Sequence, residues 1–274
     1  VLNRTFIDVQ SDWRKIVKKP KSFSAFKKEL KNKKIKKIWR RAKNIIFDLS
    51  GGYSLLVHQK MTGHLLYGIW DKKNGKWMPT VKGALSDPYN RFLHLVFFFD
   101  NGKMMALSDA RKFAKVEFWK TEDLLGSKEF KSLGPEPLEK NFTFEKFKDI
   151  LKNKKGRIKQ VLMDPAVIVG IGNIYSSEIL WLAKVHPLKS ALKLNKKELE
   201  NIFNAIKKIL KLAVNLGGES FSDYRKPDGS KGNFDTERKV YKREGQNCQR
   251  CGTKIKRLKI GQRSAFFCPH CQKL

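Results

Sequence analysis

Between about Arg4 and Lys120 the apolar residues fall into short blocks: Asn44–Leu49 (NIIFDL), Tyr53–His58 (YSLLVH) and Phe92–Phe99 (FLHLVFFF). Short apolar runs rich in β-branched and aromatic residues predict strands. Gly51-Gly52 and Asp100-Asn101-Gly102 separate such blocks with residues that tolerate the positive φ of hairpin turns. This first part of the chain is therefore expected to be mainly β.

The pattern changes after Leu133-Gly134-Pro135-Glu136-Pro137-Leu138, and helical spacing runs through Thr143–Leu151, Lys159–Met163, Tyr175–Lys184 and Asn195–Leu216. Asn195, followed by Glu198, predicts a capped helix start, and Gly217-Gly218 a glycine stop. Residues 219–247 are rich in glycine, proline and charge, which predicts a long loop of the kind that carries function. The expected organisation is an α+β fold of two domains with a terminal finger: a β-sandwich-like domain at 1–120, a helical domain at 121–240 and a small module at 241–274.

Composition adds the partner. Hydrophobic residues make up 41% of the 274, enough for a core, so the lysine excess does not mark a disordered tail. Lys and Arg number 59 against 26 Asp and Glu, a formal charge of +33 that points to a polyanion, nucleic acid first. A generally lysine-rich proteome would explain the charge alone, since runs such as Lys31-Asn32-Lys33-Lys34 can simply be solvated. No apolar run is long enough for a membrane span and Val1-Leu2-Asn3-Arg4 does not open a signal peptide, so a soluble, intracellular protein is expected. Cysteine usage favours the cytoplasm, and a monomer is expected.

All four cysteines lie near the end, as Cys248-x-x-Cys251 and Cys268-x-x-Cys271. Two such knuckles predict one structural, tetrahedral Zn²⁺ with every position filled by thiolate, which leaves His270 a bystander. Two disulfides, which suit a reducing compartment less well, or four free thiols are the alternative. Between the pairs, residues 254–267 suit a hairpin whose Lys254, Lys256, Arg257, Lys259 and Arg263 form a basic face.

Gly170-Ile171-Gly172-Asn173-Ile174-Tyr175-Ser176-Ser177-Glu178 resembles the signature of formamidopyrimidine-DNA glycosylases. Leu133–Leu138, Leu162-Met163-Asp164, Gly217-Gly218 and the cysteine finger with Gln262-Arg263-Ser264 stand in that family's order, so the resemblance spans essentially the whole chain. It implies a β-sandwich domain, a helix-two-turn-helix domain and a zinc finger, with DNA in a basic cleft. It also implies excision of oxidised purines such as 8-oxoguanine and formamidopyrimidines from duplex DNA, then β,δ-elimination at the abasic site. No nucleotide cofactor is implied.

The same resemblance assigns roles. Met61, Arg111 and Phe113 would fill the gap left by an extruded nucleotide, and Asn173 would bind a phosphate at a glycine-rich helix start. Lys154 and Lys159 would contact the DNA backbone. Lys43 and Arg263 would be catalytic, Lys43 as a proton donor in strand cleavage and Arg263 on flanking phosphates and in the second elimination. From the residues alone, Met61 and Phe113 would be read as core, and Lys154 and Lys159 equally well as solvated charges. Ser220–Gly232 resembles the loop that closes over an oxidised purine. Phe92 stands where some relatives carry a DNA-contacting histidine, and His94 is expected to be a satisfied core residue.

One departure matters. The family's opening proline nucleophile, the neighbouring glutamate and the first helix, roughly fifteen residues, have no counterpart ahead of Val1. A sequence that starts late is the expectation; the alternative is a non-catalytic relic that binds damaged DNA. An endonuclease VIII-like enzyme for oxidised pyrimidines and a zinc-ribbon RNA-binding protein are further alternatives.

Overall fold

The computed structural model describes residues 1–220 and 223–274, in two compact units. The first comprises Val1–Lys131 with Glu219–Asn233, and the second Ser132–Gly218 with Phe234–Leu274.

The first unit holds β1 (Phe6–Ser11), β2 (Val17–Lys19), α1 (Phe23–Leu30), β3 (Ile35–Arg41), β4 (Asn44–Leu49), β5 (Tyr53–His58), β6 (His64–Gly68), β7 (Trp70–Lys73), β8 (Lys76–Pro79), β9 (Leu93–Phe99), β10 (Met104–Ser108), β11 (Lys115–Lys120), α2 (Thr121–Gly126) and α3 (Lys128–Lys131). One sheet runs β1-β9-β10-β6, the other β2-β11-β5-β4-β3, and β7 pairs with β8 in a separate hairpin. Phe6, Leu95, Phe97 and Phe99 of the first sheet pack with Phe47, Leu55, Val57 and Phe118 of the second. Alternation should leave the outer faces polar, but both are covered. Ile46 and Leu56 turn outward onto Leu124 of α2, while Leu66, Val96 and Ala106 turn outward onto Trp70. That second cover is why Phe92–Phe99 reads as a continuous apolar run rather than an alternating one.

The second unit contains α4 (Phe144–Leu151), α5 (Ile158–Met163), α6 (Asn173–Ala183), α7 (Lys196–Asn215) and the hairpin β12 (Lys256–Ile260)–β13 (Arg263–Phe267). Ile179 and Leu180 of α6 pack with Ile202, Ile206 and Ile209 of α7 and with Phe147 and Leu151 of α4. Asn195 caps α7 in a capping box with Glu198, and Gly217 and Gly218 end it at φ of 72° and 89°. At these angles a side chain would be strained. Trp181, on the other side of α6, packs with Val240, Ile255 and Phe266 of the finger.

The units divide differently from the sequence expectation. The first runs on through α2 and α3 to Lys131, because Leu124 closes the outer face of its sheet. The loop expected to belong to the helical domain instead joins the first unit over residues 219–233. The Pro227 carbonyl accepts the Tyr67 N–H at 2.7 Å, Asn90 Nδ2 donates to the Gly229 carbonyl at 3.2 Å, and buried Arg225 pairs with Asp87 at 3.0 Å. Phe221 and Ser222, part of the loop read as Ser220–Gly232, lie outside the described residues.

Candidate nucleic-acid interface and metal centre

In the first unit, two turns at one end of the sandwich are tied by a single carboxylate. Residues 59–63 join β5 to β6, and residues 109–114 join β10 to β11. The turn after β5 closes through Gly63, whose N–H donates to the Gln59 carbonyl, and a Cβ there would lie 2.5 Å from that oxygen. Asp109 is wholly buried and accepts the Thr62 hydroxyl, the Arg111 N–H at 3.3 Å and the Ala114 N–H at 2.7 Å. This holds Met61 and Phe113 at 58% and 50% exposure, which rules out the core reading for both. Between them the Arg111 guanidinium lies 3.4 Å from the Met61 Sδ and 4.5 Å from the Phe113 ring centre. Met61 and the neighbouring pair Arg111 and Phe113, from turns 50 residues apart, thus form one apolar and cationic patch.

The same sheet carries an electropositive edge. β3 turns into β4 through Ala42, at φ 55°, and exposed Lys43. Asn44 and Lys115 both pair with His58. Burial, then the charges of Lys60, Lys115 and Lys43, push His58 down to about 4, so it is neutral at physiological pH. Its Nδ1 accepts the Lys60 N–H at 2.9 Å. His94 is buried, with Nδ1 2.9 Å from the exposed Asp12 carboxylate, and both line a cavity of about 1160 Å³.

In the second unit, Gly170 at φ 85° turns the chain into α6, with Gly172 as the cap and Asn173 as the first helical residue. The opening N–H groups of such a helix suit an anion. Asn173 lines a cavity of about 460 Å³ with Lys242, Arg257, Gln262 and Arg263. Its Oδ1 is buried without a hydrogen-bond partner among the described residues. Arg263 comes from the β12–β13 hairpin, whose Gly261 turn has a φ of 59°. Lys154 is half-buried in the turn between α4 and α5.

Lys159 requires a correction. It is 1% exposed, and its Nζ donates to Ser177 Oγ at 2.8 Å, Ser176 Oγ at 2.9 Å and the Asn173 carbonyl at 3.1 Å. An ammonium has three N–H donors, so none is left for a phosphate. The expected DNA contact is an internal strut of the signature helix.

The cysteines fit zinc. All four Sγ atoms lie within 4.8 Å of one another, and Cys251 is 3.4 Å from both Cys268 and Cys271. A tetrahedral site with Zn–S near 2.3 Å needs sulfurs roughly 3.8 Å apart. No disulfide is formed. Burial, then the neighbouring Cys251 and Cys268 thiols, push Cys271 up to about 12, so four thiolates require a cation among them. Zinc bound there would supply that charge and lock the finger against Trp181.

The formamidopyrimidine-DNA glycosylase N-terminal domain profile matches residues 1–116, the H2TH domain profile of the same enzymes matches 133–225, and a zinc finger found in FPG and IleRS matches 245–274. A formamidopyrimidine-DNA glycosylase of Pelotomaculum thermopropionicum is 37% identical, covering 95% of this chain and 88% of its own. One from Rickettsia africae is 39% identical over 89% of this chain and 84% of its own. The chain belongs to the formamidopyrimidine-DNA glycosylase family. Among solved members, a Lactococcus lactis Fpg bound to abasic-site DNA superposes with a TM-score of 0.86 at 31% identity, covering 100% of this chain and 94% of that one. A second Lactococcus lactis complex, with FAPY-dG DNA, also gives a TM-score of 0.86 at 31% identity and the same coverage.

Formamidopyrimidine-DNA glycosylases are thus the frame for three features that sequence reasoning did not single out. Asp109 is one acid among many until the fold buries it between two turns. His58 gains its lysine neighbours only when β4, β5 and β11 pair. Glu178 lies in the signature, but its partners at Lys239, Val240 and Tyr241 are some sixty residues away.

Proposed function

We propose that this protein repairs DNA as a bifunctional glycosylase and abasic-site lyase, removing oxidised purines from duplex DNA and nicking the abasic strand. The patch of Met61, Arg111 and Phe113 carries the reading. A base inside the stack offers no access to its glycosidic carbon, so it must be extruded, and an apolar wedge then fills the vacancy. Met61 is a flexible wedge, Phe113 a plate against the neighbouring pair, and Arg111 a planar donor for the orphaned base. The electropositive edge around neutral His58 suits the approach of a phosphate chain. Lys43, at that edge, is the proposed proton donor in strand cleavage.

Asn173 and the first turn of α6 bind a backbone phosphate in this reading, with Arg263 on a flanking one and Lys154 as a weaker contact. The relatives solved with abasic-site and FAPY-dG DNA support damaged DNA as substrate. Among the described residues no helix is long and apolar enough to cross a membrane. The proposed place of work is the nucleoid.

Borohydride trapping on an abasic duplex tests the reading, using the protein purified from its own cells. A reduced covalent cross-link to the sugar is expected, together with release of 8-oxoguanine. Tight abasic binding without any cross-link would instead mark a damaged-DNA-binding protein.

A further inference from the structure

The Lys159 ammonium sits where helix electrostatics disfavour it. Its acceptor, the Asn173 carbonyl, belongs to the first residue of α6, and Ser176 and Ser177 also donate to that carbonyl, each at 3.1 Å. A helix N-terminus already carries partial positive charge, so a cation beneath it is unfavourable. Among the described residues no carboxylate bonds it. Glu178, on α6, spends its oxygens on the N–H groups of Lys239, Val240 and Tyr241. Asp164, at the end of α5, and Arg263, from the β12–β13 hairpin, line a cavity of about 330 Å³ beside Lys159. Burial pushes Lys159 down to about 7, against an upward pull from Glu178.

A buried cation under a helix start, bonded only to neutral oxygens, becomes more favourable once an anion docks above it. We propose that Lys159 is a positioning residue for the phosphate at the start of α6: its ammonium fixes the first turn and lends that turn a buried positive charge. The proposal rests on the reading of α6 as a DNA-backbone site. Lys159 acts through Asn173 and does not touch DNA.

Linkage gives the sign. Lys159 is charged below about pH 7 and neutral above it, and a bound phosphate favours the charged form. Its contribution to affinity is therefore full at low pH and is lost as pH rises past 7, while binding near neutrality takes up a proton. His186, whose burial lowers its own titration, belongs to the same unit and forms part of the background. Comparison of wild type with Lys159→Met removes that background.

The test measures anisotropy on a duplex carrying a tetrahydrofuran abasic analogue, at constant salt, from about pH 6 to about pH 8.5. Lys159→Met is expected to bind about fivefold or more weakly at the acid end, with the gap closing toward the alkaline end. A thermal melt across the same pH range checks that the variant is folded, since the substitution removes three buried hydrogen bonds. Calorimetry of wild-type and Lys159→Met binding in buffers of different ionisation enthalpy supplies a second check, with net proton uptake expected near pH 7 in wild type and less in the variant. Equal affinity loss at every pH, no loss at any, or no proton uptake would overturn the role. The broader reading fails with a different signature, in which wild type prefers no damaged duplex at any pH, and that outcome overturns both.

Discussion

Glu178 of α6 accepts the backbone N–H of Tyr241 at 2.8 Å, joining that helix to the chain entering the finger. The carboxylate also takes the N–H groups of Lys239 at 2.8 Å and Val240 at 3.1 Å. Burial pushes its carboxyl up while those three donors pull it down. Glu178→Gln keeps the shape but turns an amide NH₂ toward a backbone N–H. Chemical denaturation should show a loss of about 2 kcal/mol or more. An unchanged midpoint would mean that the segment 239–241 is held by its packing instead.

Removing zinc should unlock the finger and spare the helical core. Val240, Ile255 and Phe266 pack in one cluster with Trp181 and with Cys248 and Cys268 of the two knuckles, whereas α7 packs with Ile179 and Leu180 of α6. Chelation is expected to release one zinc per chain. Hydrogen exchange should then rise across residues 248–271 while α7 remains protected. Retained protection in the finger would show that its apolar cluster holds the fold without metal.

The patch of Met61, Arg111 and Phe113 depends on a group that never reaches the surface. Asp109→Asn supplies one acceptor oxygen where the wild-type carboxylate serves three donors, and it points an NH₂ at either the Arg111 or the Ala114 N–H. Affinity for an abasic duplex should fall by about tenfold, the equivalent of one lost buried hydrogen bond, with a smaller effect on undamaged DNA. Equal affinities for wild type and variant would mean that the two turns keep their shape without the shared carboxylate.

What could be read in advance was local. β4 and β5 begin and end where their apolar blocks do, and Asn195 and Gly217 frame α7, because strand period, capping chemistry and positive φ act over a few residues. The knuckles were legible for the same reason. Lys159 misled because its neighbours along the chain are those of an exposed lysine, and only the turn of α6 above it supplies Ser176, Ser177 and the Asn173 carbonyl. Residues 219–233 misled because a glycine-rich loop gives no hint of where it docks. Arg225 finds Asp87 and Asn90 finds Gly229 across more than a hundred residues. Met61 and Phe113 became legible as surface residues only through the family resemblance, since no hydropathy pattern separates an exposed wedge from a core side chain.

The excursion of residues 219–233 bears on heredity as well as on stability. It leaves and returns at one point, where the Phe234 N–H donates to the Gly218 carbonyl at 3.1 Å, yet its own contacts are with the sandwich. A gene fragment ending at Lys131 would encode that sandwich without Arg225, and without the carbonyls of Pro227 and Gly229 that serve Tyr67 and Asn90. A fragment beginning at Ser132 would carry an arm built for an absent host. Recombination at the boundary therefore yields two incomplete products, so the units are bound to be inherited and to vary together.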